Sequence, residues 1–166
     1  RIEDGKMNLH LETELIEEVI NEALNHISHK KDEHRIEVKA NDEFILAKID
    51  AGLIIQVIIN IVDNAIKYTP KGSMISIETF KHKDFVEIQI ADDGAGISDK
   101  DKEKLFEMFY TVKHEVIDGR RGLGLGLALC KAIIVAHGGN IAVKDNIPHG
   151  TIFSFTLPIK EVEIHE

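Results

Sequence analysis

Apolar residues recur along the chain at two spacings, which predict helices and strands in different places. A spacing of three and four residues predicts amphipathic helices at residues 14–29, 51–68 and 125–136. Alternation of apolar and polar residues predicts strands at residues 7–12, 35–40, 44–49, 74–81, 85–91, 140–144 and 151–157. A short helix and its exit are expected at residues 99–109, and a loop without steady period at residues 110–121.

Turn and capping residues set the predicted boundaries. Thr13 and Asp50 are candidate N-caps, because their side-chain oxygens can accept a free N–H of the first helical turn. Pro70 and Gly72 end the second long helix. The turn residues Asn41-Asp42 predict that the second and third strand runs form a hairpin. The fourth and fifth runs should form another hairpin, and the last two runs should pair.

This order of elements predicts an α+β fold. The strands lie mostly in hairpins, so the sheet should be mixed and largely antiparallel, with helices covering one face. A length of 166 residues suits one domain that can bury a real core.

Composition and charge narrow the class of protein. The hydrophobic content of 43% and the charged content of 30% are typical of a soluble domain, and no apolar run of transmembrane length or signal peptide is evident. The net charge of −9 disfavours broad binding to nucleic acid or to anionic membranes. The lone Cys130 excludes an internal disulfide and is expected to be a core residue. Because the first residue is Arg1, we expect a fragment of a longer protein.

The helix at residues 51–68 carries the first candidate site. At helical periodicity Asn60, Asn64 and Lys67 fall within roughly 60° of one another. The opposite side is apolar and contains Ile54, Ile58, Ile61, Val62 and Ala65. Carboxamide oxygens can help to hold a hard cation and a lysine can meet a phosphate. The alternative is a half-exposed helix with these side chains in water. The shared position of the three polar residues does not by itself decide between a binding site and a solvated surface.

Two glycine-bearing loops are the other candidates. Asp92-Asp93-Gly94-Ala95-Gly96-Ile97 follows a predicted strand, where an aspartate can accept from an exocyclic amine and glycine lets backbone approach a ligand. Gly122-Leu123-Gly124-Leu125-Gly126 runs into a helix, whose free N–H groups can bind an anion. Arg120 and Arg121 precede it and can meet a terminal phosphate. The alternatives are an ordinary turn, a ligand-free hinge and solvated arginines.

The histidines are interpreted without a metal site. His26, His29 and His34 lack a completing cluster of ligands and are expected to be solvated. The dipeptide His114-Glu115 is expected at the surface, and His137 near a helix end is expected to be structural.

Taken together, these motifs resemble the catalytic ATP-binding domain of sensor histidine kinases, in the broad family that includes the gyrase B, Hsp90 and MutL ATPase domains. The N box is matched by Asn60 to Pro70, the G1 box by Asp92 to Ile97, the F box by Leu105 to Tyr110, the G2 box by Gly122 to Leu127, and the G3 element by Gly150-Thr151. Met108 and Pro148-His149 depart from the usual pattern in loop details. Residues 122–139 are most similar to the potassium-responsive sensor kinases.

The resemblance implies a Bergerat ATP-binding fold, a two-layer α/β sandwich with a mixed five-stranded sheet and three main helices on one face. Residues 1–8 would end a linker from an upstream dimerisation domain, residues 9–160 would form the ATP-binding domain and residues 161–166 a tail. The cofactors implied are ATP and Mg²⁺.

The resemblance also implies residue roles. The implied nucleotide-binding residues are Asn60, Asn64, Lys67, Tyr68, Asp92, Gly94, Gly96, Ile97, Phe109, Arg120, Arg121, Gly122, Leu123, Gly124, Leu125, Gly126, Leu127 and Thr151. Asp92 would accept from the adenine amine, and residues 110–121 would form the ATP lid. Asn60, Lys67 and Arg120 are the implied catalytic residues, with Arg120 at the γ-phosphate. Asn64 is the first choice as Mg²⁺ ligand, followed by Asn60.

The implied activity is transfer of the γ-phosphate to a histidine on a separate dimerisation domain, for relay to a response regulator. The family's ATPases carry a glutamate at the position of Asn60, and a carboxamide cannot act as a general base at neutral pH. Rival readings are an ATP-hydrolysing switch, a serine kinase of the anti-sigma-factor type and a degenerate nucleotide-sensing module. We expect a cytoplasmic domain of a membrane-bound, homodimeric sensor, without direct contact to membrane or nucleic acid.

Overall fold

A five-stranded sheet forms one layer of the computed structural model, which describes residues 2–3, 6–27, 34–39, 44–107 and 125–159. The elements in chain order are β1 (Ile2–Glu3), β2 (Lys6–Met7), β3 (Glu12–Leu15), α1 (Ile16–Asn25), β4 (Arg35–Val38), β5 (Leu46–Ile49), α2 (Ala51–Tyr68), β6 (Met74–Lys81), β7 (Phe85–Asp92), α3 (Asp99–Lys102), α4 (Leu125–Ala136), β8 (Ile141–Asp145) and β9 (Thr151–Pro158).

The strand order in the large sheet is β4-β6-β7-β9-β8. Strand β4 runs parallel to β6, and every other pairing in this sheet is antiparallel. Because side chains alternate between the two faces of a sheet, one register carries Ile77, Ile90 and Phe153 side by side on the buried face. The neighbouring register places Glu78, Gln89 and Ser154 on the opposite, partly exposed face. The sheet is therefore apolar on one face only.

Three helices cover the apolar face. Helix α2 contacts β6 and β7 and packs between α1 and α4, while α4 contacts β8 and β9. This arrangement confirms the predicted α+β sandwich with a mixed five-stranded sheet. Both ends of helix α2 are also as predicted. Asp50 caps its start, where Oδ1 accepts from Leu53 N at 3.3 Å, and the helix ends at Tyr68, before Pro70.

Helix α2 lies at the centre of the core. Among the described residues it is the one helix whose length and composition would allow it to cross a membrane, which differs from the expectation that no run has this length. Its apolar side, which includes Ile54, Ile58 and Ile61, is fully buried between the sheet and the neighbouring helices. That position is the one occupied by the core helix of a globular domain.

His137 and Cys130 link α4 to α2 as structural residues, as predicted. His137 Nδ1 lies 2.8 Å from Ile133 O, and Asp50 N donates to His137 Nε2 at 3.1 Å. The imidazole therefore joins the end of α4 to the start of α2. Cys130 is fully buried, with its Sγ 3.8 Å from Val57 O.

The predicted hairpin around Asn41-Asp42 is wrong. Strand β5 pairs antiparallel with β3 in a separate two-stranded sheet, and β4 pairs in parallel with β6 at the edge of the large sheet. Both runs do form strands, but alternation sets which face is buried and does not choose the neighbouring strand. Val38 is 37% exposed on this edge strand.

Three predicted boundaries also differ. Helix α1 begins at Ile16 without a side-chain cap, so Thr13 is not an N-cap and lies within β3. The strand predicted at residues 7–12 is replaced by β2 and β3 on either side of it. Helix α3 is limited to Asp99–Lys102 and is followed by turns as far as residue 107. The remaining strand pairs, β6 with β7 and β8 with β9, are as predicted.

Candidate functional site

A buried carboxylate, Asp92, lies at the end of the central strand β7. Asp92 is 8% exposed, and its Oδ1 accepts from Gly94 N at 2.9 Å and from Thr151 N at 3.2 Å. Burial raises the pKa of Asp92 above its ordinary value of 3.8, the two backbone hydrogen bonds oppose that rise and the neighbouring Asp93 adds to it. Both bonds reach the same oxygen, so Oδ2 is the atom that can accept from a ligand.

Glycine is required where the chain passes Asp92. Gly94 lies against Thr69, since a Cβ at Gly94 would be 2.6 Å from Thr69 Cγ2. Gly96 has φ +86 and faces the carbonyl of Gly150, which has φ +115. A side chain at any of these positions would push the loop away from Asp92 or strain its backbone. The glycines predicted from the sequence thus hold the carboxylate in place.

The turn between β8 and β9 closes this end of the site. Asn146 Nδ2 donates to Asp92 O at 2.8 Å, and His149 Nδ1 lies 3.2 Å from Gly94 O. The adjacent Asp93 Oδ1 accepts from Met74 N at 3.0 Å, which ties the same loop to β6. The sequence motifs indicate Thr151 but not Asn146 or His149, whose hydrogen bonds also join residues more than fifty positions apart.

The opposite end of the site lies where α2 meets the start of α4. A Cβ at Gly126 would be 3.9 Å from Asn60 Cγ and Nδ2, so the first turn of α4 lies beside this amide. Asn60 Oδ1 accepts from Gln56 Nε2 at 2.9 Å, which fixes the orientation of the carboxamide. The Asn60 amide also contacts the Cys130 thiol and partly opposes the effect of burial, which raises the pKa of Cys130 to about 12.

The remaining predicted residues of α2 lie between these two ends. Asn64, Lys67 and Tyr68 are half-buried, and Lys67 Nζ is 5.1 Å from the centroid of the Tyr68 ring. Thr69 follows Asn60 by nine positions, which is about 14 Å at the rise of a helix. The site therefore has a buried acceptor at one end, an amide and a helix N-terminus at the other, and a second amide and a cation between them. These groups fit a nucleotide, with its base at Asp92 and its phosphates beside Asn60.

Several predicted site residues have other surroundings or lie outside the described residues. Ile97 is half-buried against the core, and Leu127 is 9% exposed and belongs to the core. Leu125 begins α4. The predicted residues outside the described ranges are Phe109, Arg120, Arg121, Gly122, Leu123 and Gly124, together with the rest of the predicted lid at residues 110–121.

The prediction that His34 is solvated is wrong. His34 is 5% exposed, and its Nε2 lies 2.9 Å from Thr69 Oγ1. His26 is exposed as predicted, beside Glu22. His29 and His114 lie outside the described residues. No residue pattern near His34 indicated burial, since a single polar residue before an edge strand has no periodicity to reveal its position.

Comparison with known protein families identifies the family of the chain. Residues 49–161 match the family described as histidine kinase-, DNA gyrase B- and HSP90-like ATPase. The chain belongs to this ATPase family. The matched residues include α2, Asp92 and its glycines, the start of α4 and Thr151. Nucleotide binding is confirmed at the level of this family.

Relatives of this histidine kinase-, gyrase B- and HSP90-like ATPase domain include proteins named as sensor proteins and sensor kinases. The chain is 40% identical over 158 residues to the sensor protein KdpD of Clostridium acetobutylicum, covering 95% of this chain and 18% of that protein. The chain thus spans less than a fifth of the length of this relative. The predicted resemblance to histidine-kinase ATP-binding domains, including those of the KdpD type, is confirmed.

Solved structures of a histidine kinase also match the fold of this chain. The catalytic domain of histidine kinase ThkA in a nucleotide-free form matches with a TM-score of 0.79 and 28% identity, over 90% of this chain and 96% of that one. ThkA in complex with the response regulator protein TrrA matches with a TM-score of 0.76 and 27% identity, over 90% of this chain and 42% of that one.

Proposed function

We propose that this chain is the catalytic domain of a two-component sensor kinase and transfers the γ-phosphate of ATP to a histidine on a dimerisation domain. The observation that carries the proposal is the pair of fixed groups at opposite ends of the site. Asp92 holds one oxygen ready for a base amine, and Asn60 holds an amide beside the start of α4.

The adenine end depends on Asp92. Its Oδ2 accepts from the exocyclic amine, while the N–H groups of Gly94 and Thr151 keep the carboxylate from rotating. A purine with a carbonyl in place of that amine brings an acceptor against a carboxylate, which is repulsive. The site therefore selects adenine nucleotides.

The phosphate end depends on α2 and α4. Asn64 and Asn60 would hold Mg²⁺ through their amide oxygens, and Lys67 would meet a phosphate. Bound Mg²⁺ neutralises charge on the phosphate oxygens and stabilises the transferring phosphoryl group. Gly126 brings the positive end of α4 towards the same phosphates. By its position in the sequence, Arg120 is our candidate for the γ-phosphate.

The amide of Asn60 favours transfer over hydrolysis. An amide has no proton-accepting nitrogen at neutral pH, so Asn60 can position a phosphate or metal but cannot activate water. An acceptor imidazole brings its own lone pair and needs no such base. The γ-phosphate is thus retained until a histidine reaches it.

The remaining expectations concern the whole protein. The complex of ThkA with TrrA supports a response regulator as downstream partner. We infer a cytoplasmic location within a membrane-bound, homodimeric sensor, with residues 1–8 as the end of a linker, residues 9–160 as the catalytic domain and residues 161–166 as a tail. The substrate ATP and the free buried thiol of Cys130 support the cytoplasmic assignment.

Phosphoryl transfer in trans tests this proposal. The chain is incubated with γ-labelled ATP, Mg²⁺ and a sensor-kinase dimerisation domain that carries the acceptor histidine. We expect acid-labile, base-stable label on that domain, and its loss with Asn64→Ala. Label that survives acid would support a serine kinase instead. Rapid phosphate release without the added domain would support a hydrolytic switch. Nucleotide binding without either reaction would support a nucleotide-sensing module.

A further inference from the structure

His34 is a buried histidine that belongs to none of the nucleotide-binding motifs. It precedes the edge strand β4, is 5% exposed and lies 2.9 Å through Nε2 from Thr69 Oγ1. Its other ring nitrogen, Nδ1, is buried and has no hydrogen-bond partner among the described residues. A buried polar atom without a partner lowers the stability of the folded state. The hydrogen bond from Nε2 to Thr69 offsets part of this cost.

The direction of the bond between His34 and Thr69 follows from the other bond that Thr69 makes. Thr69 Oγ1 donates its single hydrogen to Ala65 O at 2.6 Å. The hydroxyl can therefore only accept from His34, so Nε2 carries the hydrogen in this arrangement. Thr69 lies directly after α2 in extended backbone, with φ −124 and ψ 152. These two bonds hold its side chain where the helix no longer does.

The methyl group of Thr69 transmits this constraint to the base-binding loop. A threonine whose hydroxyl is held by two bonds keeps one χ1 rotamer, and that rotamer also fixes the position of Cγ2. Cγ2 lies against Gly94, where an added Cβ would approach within 2.6 Å. Gly94 N in turn donates to Asp92 Oδ1 at 2.9 Å. The contacts run without a break from His34 through Thr69 and Gly94 to Asp92.

We propose that His34 is a positioning residue for base recognition, which locks Thr69 so that its methyl group supports Gly94 and keeps the Asp92 carboxylate aligned with the base amine. The inference rests on the proposed binding of an adenine nucleotide at Asp92. His34 touches neither nucleotide nor metal in this account and acts only through Thr69.

Base discrimination tests the proposal, because a role in stability alone would weaken all nucleotides equally. The affinities for ADP and IDP, each with Mg²⁺, are measured by calorimetry, together with the melting temperature of each variant. Inosine carries a carbonyl where adenine carries the amine. We expect His34→Leu to lower the preference for ADP over IDP by about fivefold, the effect of one ordinary hydrogen bond. His34→Gln, which keeps an N–H donor, should retain the preference within about twofold.

Thr69→Val provides a second route to the same answer if His34→Leu fails to fold. Valine keeps a methyl group against Gly94 and removes both hydroxyl bonds, so it should lose discrimination to the same extent. The double variant should lose no more than either single variant, because both remove the same bond. His26→Leu, at the exposed residue that follows α1, is the matched control and should leave both affinities unchanged.

The outcomes separate this inference from the proposed function. Equal losses for ADP and IDP, additive losses in the double variant, or unchanged discrimination in folded His34→Leu would overturn the role of His34 and leave nucleotide binding intact. If the unaltered chain bound neither nucleotide, the proposed function itself would fail.

Discussion

Gly150 packs its backbone against the backbone of Asp92. A Cβ built on Gly150 would stand 2.8 Å from the carbonyl carbon of Asp92 and 2.9 Å from Cα of Asp93. Gly150 also has φ +115, a conformation that favours glycine. The close approach lets the next residue, Thr151, donate its N–H to the Asp92 carboxylate at 3.2 Å. The orientation of the Asp92 carboxylate therefore depends on Gly150, the residue before Thr151, having no side chain.

Gly150→Ala should damage both folding and binding, because the methyl group overlaps backbone that has no room to move. Gly72→Ala is the matched control, since Gly72 has φ +87 but no heavy atom within 4 Å of an added Cβ. The control should lose about 1 kcal/mol of unfolding free energy through backbone strain and keep its affinity for ADP. Gly150→Ala should lose clearly more stability, and about tenfold or more in affinity. Urea unfolding and ADP titration measure the two effects, and equal behaviour of both variants would refute the steric argument.

Asp92→Asn should stabilise the nucleotide-free chain at neutral pH. Burial raises the pKa of Asp92 above 3.8, so the folded state disfavours the charged carboxylate. With a folded pKa above the unfolded one, the folded state binds more protons between the two values, and stability falls as pH rises through that window. The loss of unfolding free energy caused by the buried charge is complete above the raised pKa and absent below 3.8. An amide oxygen still accepts from Gly94 and Thr151 without that cost.

Urea unfolding at several pH values from neutral to acid measures this effect. The variant should be more stable at pH 7, and the difference in unfolding free energy should shrink as the pH falls through the raised pKa. A difference that grows towards acid pH would mean that the carboxylate is stabilised by its surroundings.

Asn60→Glu should increase ATP hydrolysis by the chain. A carboxylate beside the start of α4 can accept a proton from water, whereas the amide cannot. General bases contribute factors of about 10² or more, so a rise of at least about tenfold is expected even with imperfect placement. Asn60→Gln has the same length without the base and is the control. Phosphate release that is equal in the two variants would show that the identity of this group does not separate transfer from hydrolysis.

Cys130 should resist alkylation in the folded protein. Burial raises the pKa of its thiol from 9.0 to about 12, which lowers the thiolate fraction at pH 8 by about a thousandfold. Iodoacetamide labelling followed by mass spectrometry should be very slow in native buffer and rapid in denaturant. Comparable rates in both solutions would mean that the α2–α4 interface opens readily.

The features predicted best from the sequence were those that depend on local spacing. The helical period of α2 places Asn60, Asn64 and Lys67 away from the buried Ile61 and Val62. Turn residues and alternation predicted the β6–β7 pair, because the two strands are neighbours both along the chain and in the sheet.

The features that were missed depend on distant contacts. Strand β5 pairs with β3 across a whole helix, and β4 joins the sheet edge in parallel, neither of which alternation can specify. His34 is buried and forms a hydrogen bond with Thr69, which lies 35 residues later. Local sequence therefore predicts which residues can form the base site, and long-range packing determines which residues hold it in shape.

A calorimetric titration of the chain with ADP and Mg²⁺ tests nucleotide binding at Asp92. We expect saturable binding well below millimolar nucleotide, and a loss of affinity of about tenfold or more in Asp92→Asn, whose amide replaces a charged acceptor. Asp93→Asn is the matched control, because Asp93 bonds to Met74 N and an amide oxygen can keep that bond. No binding at millimolar ADP, or equal affinity in Asp92→Asn and the unaltered chain, would mean that Asp92 does not bind an adenine nucleotide.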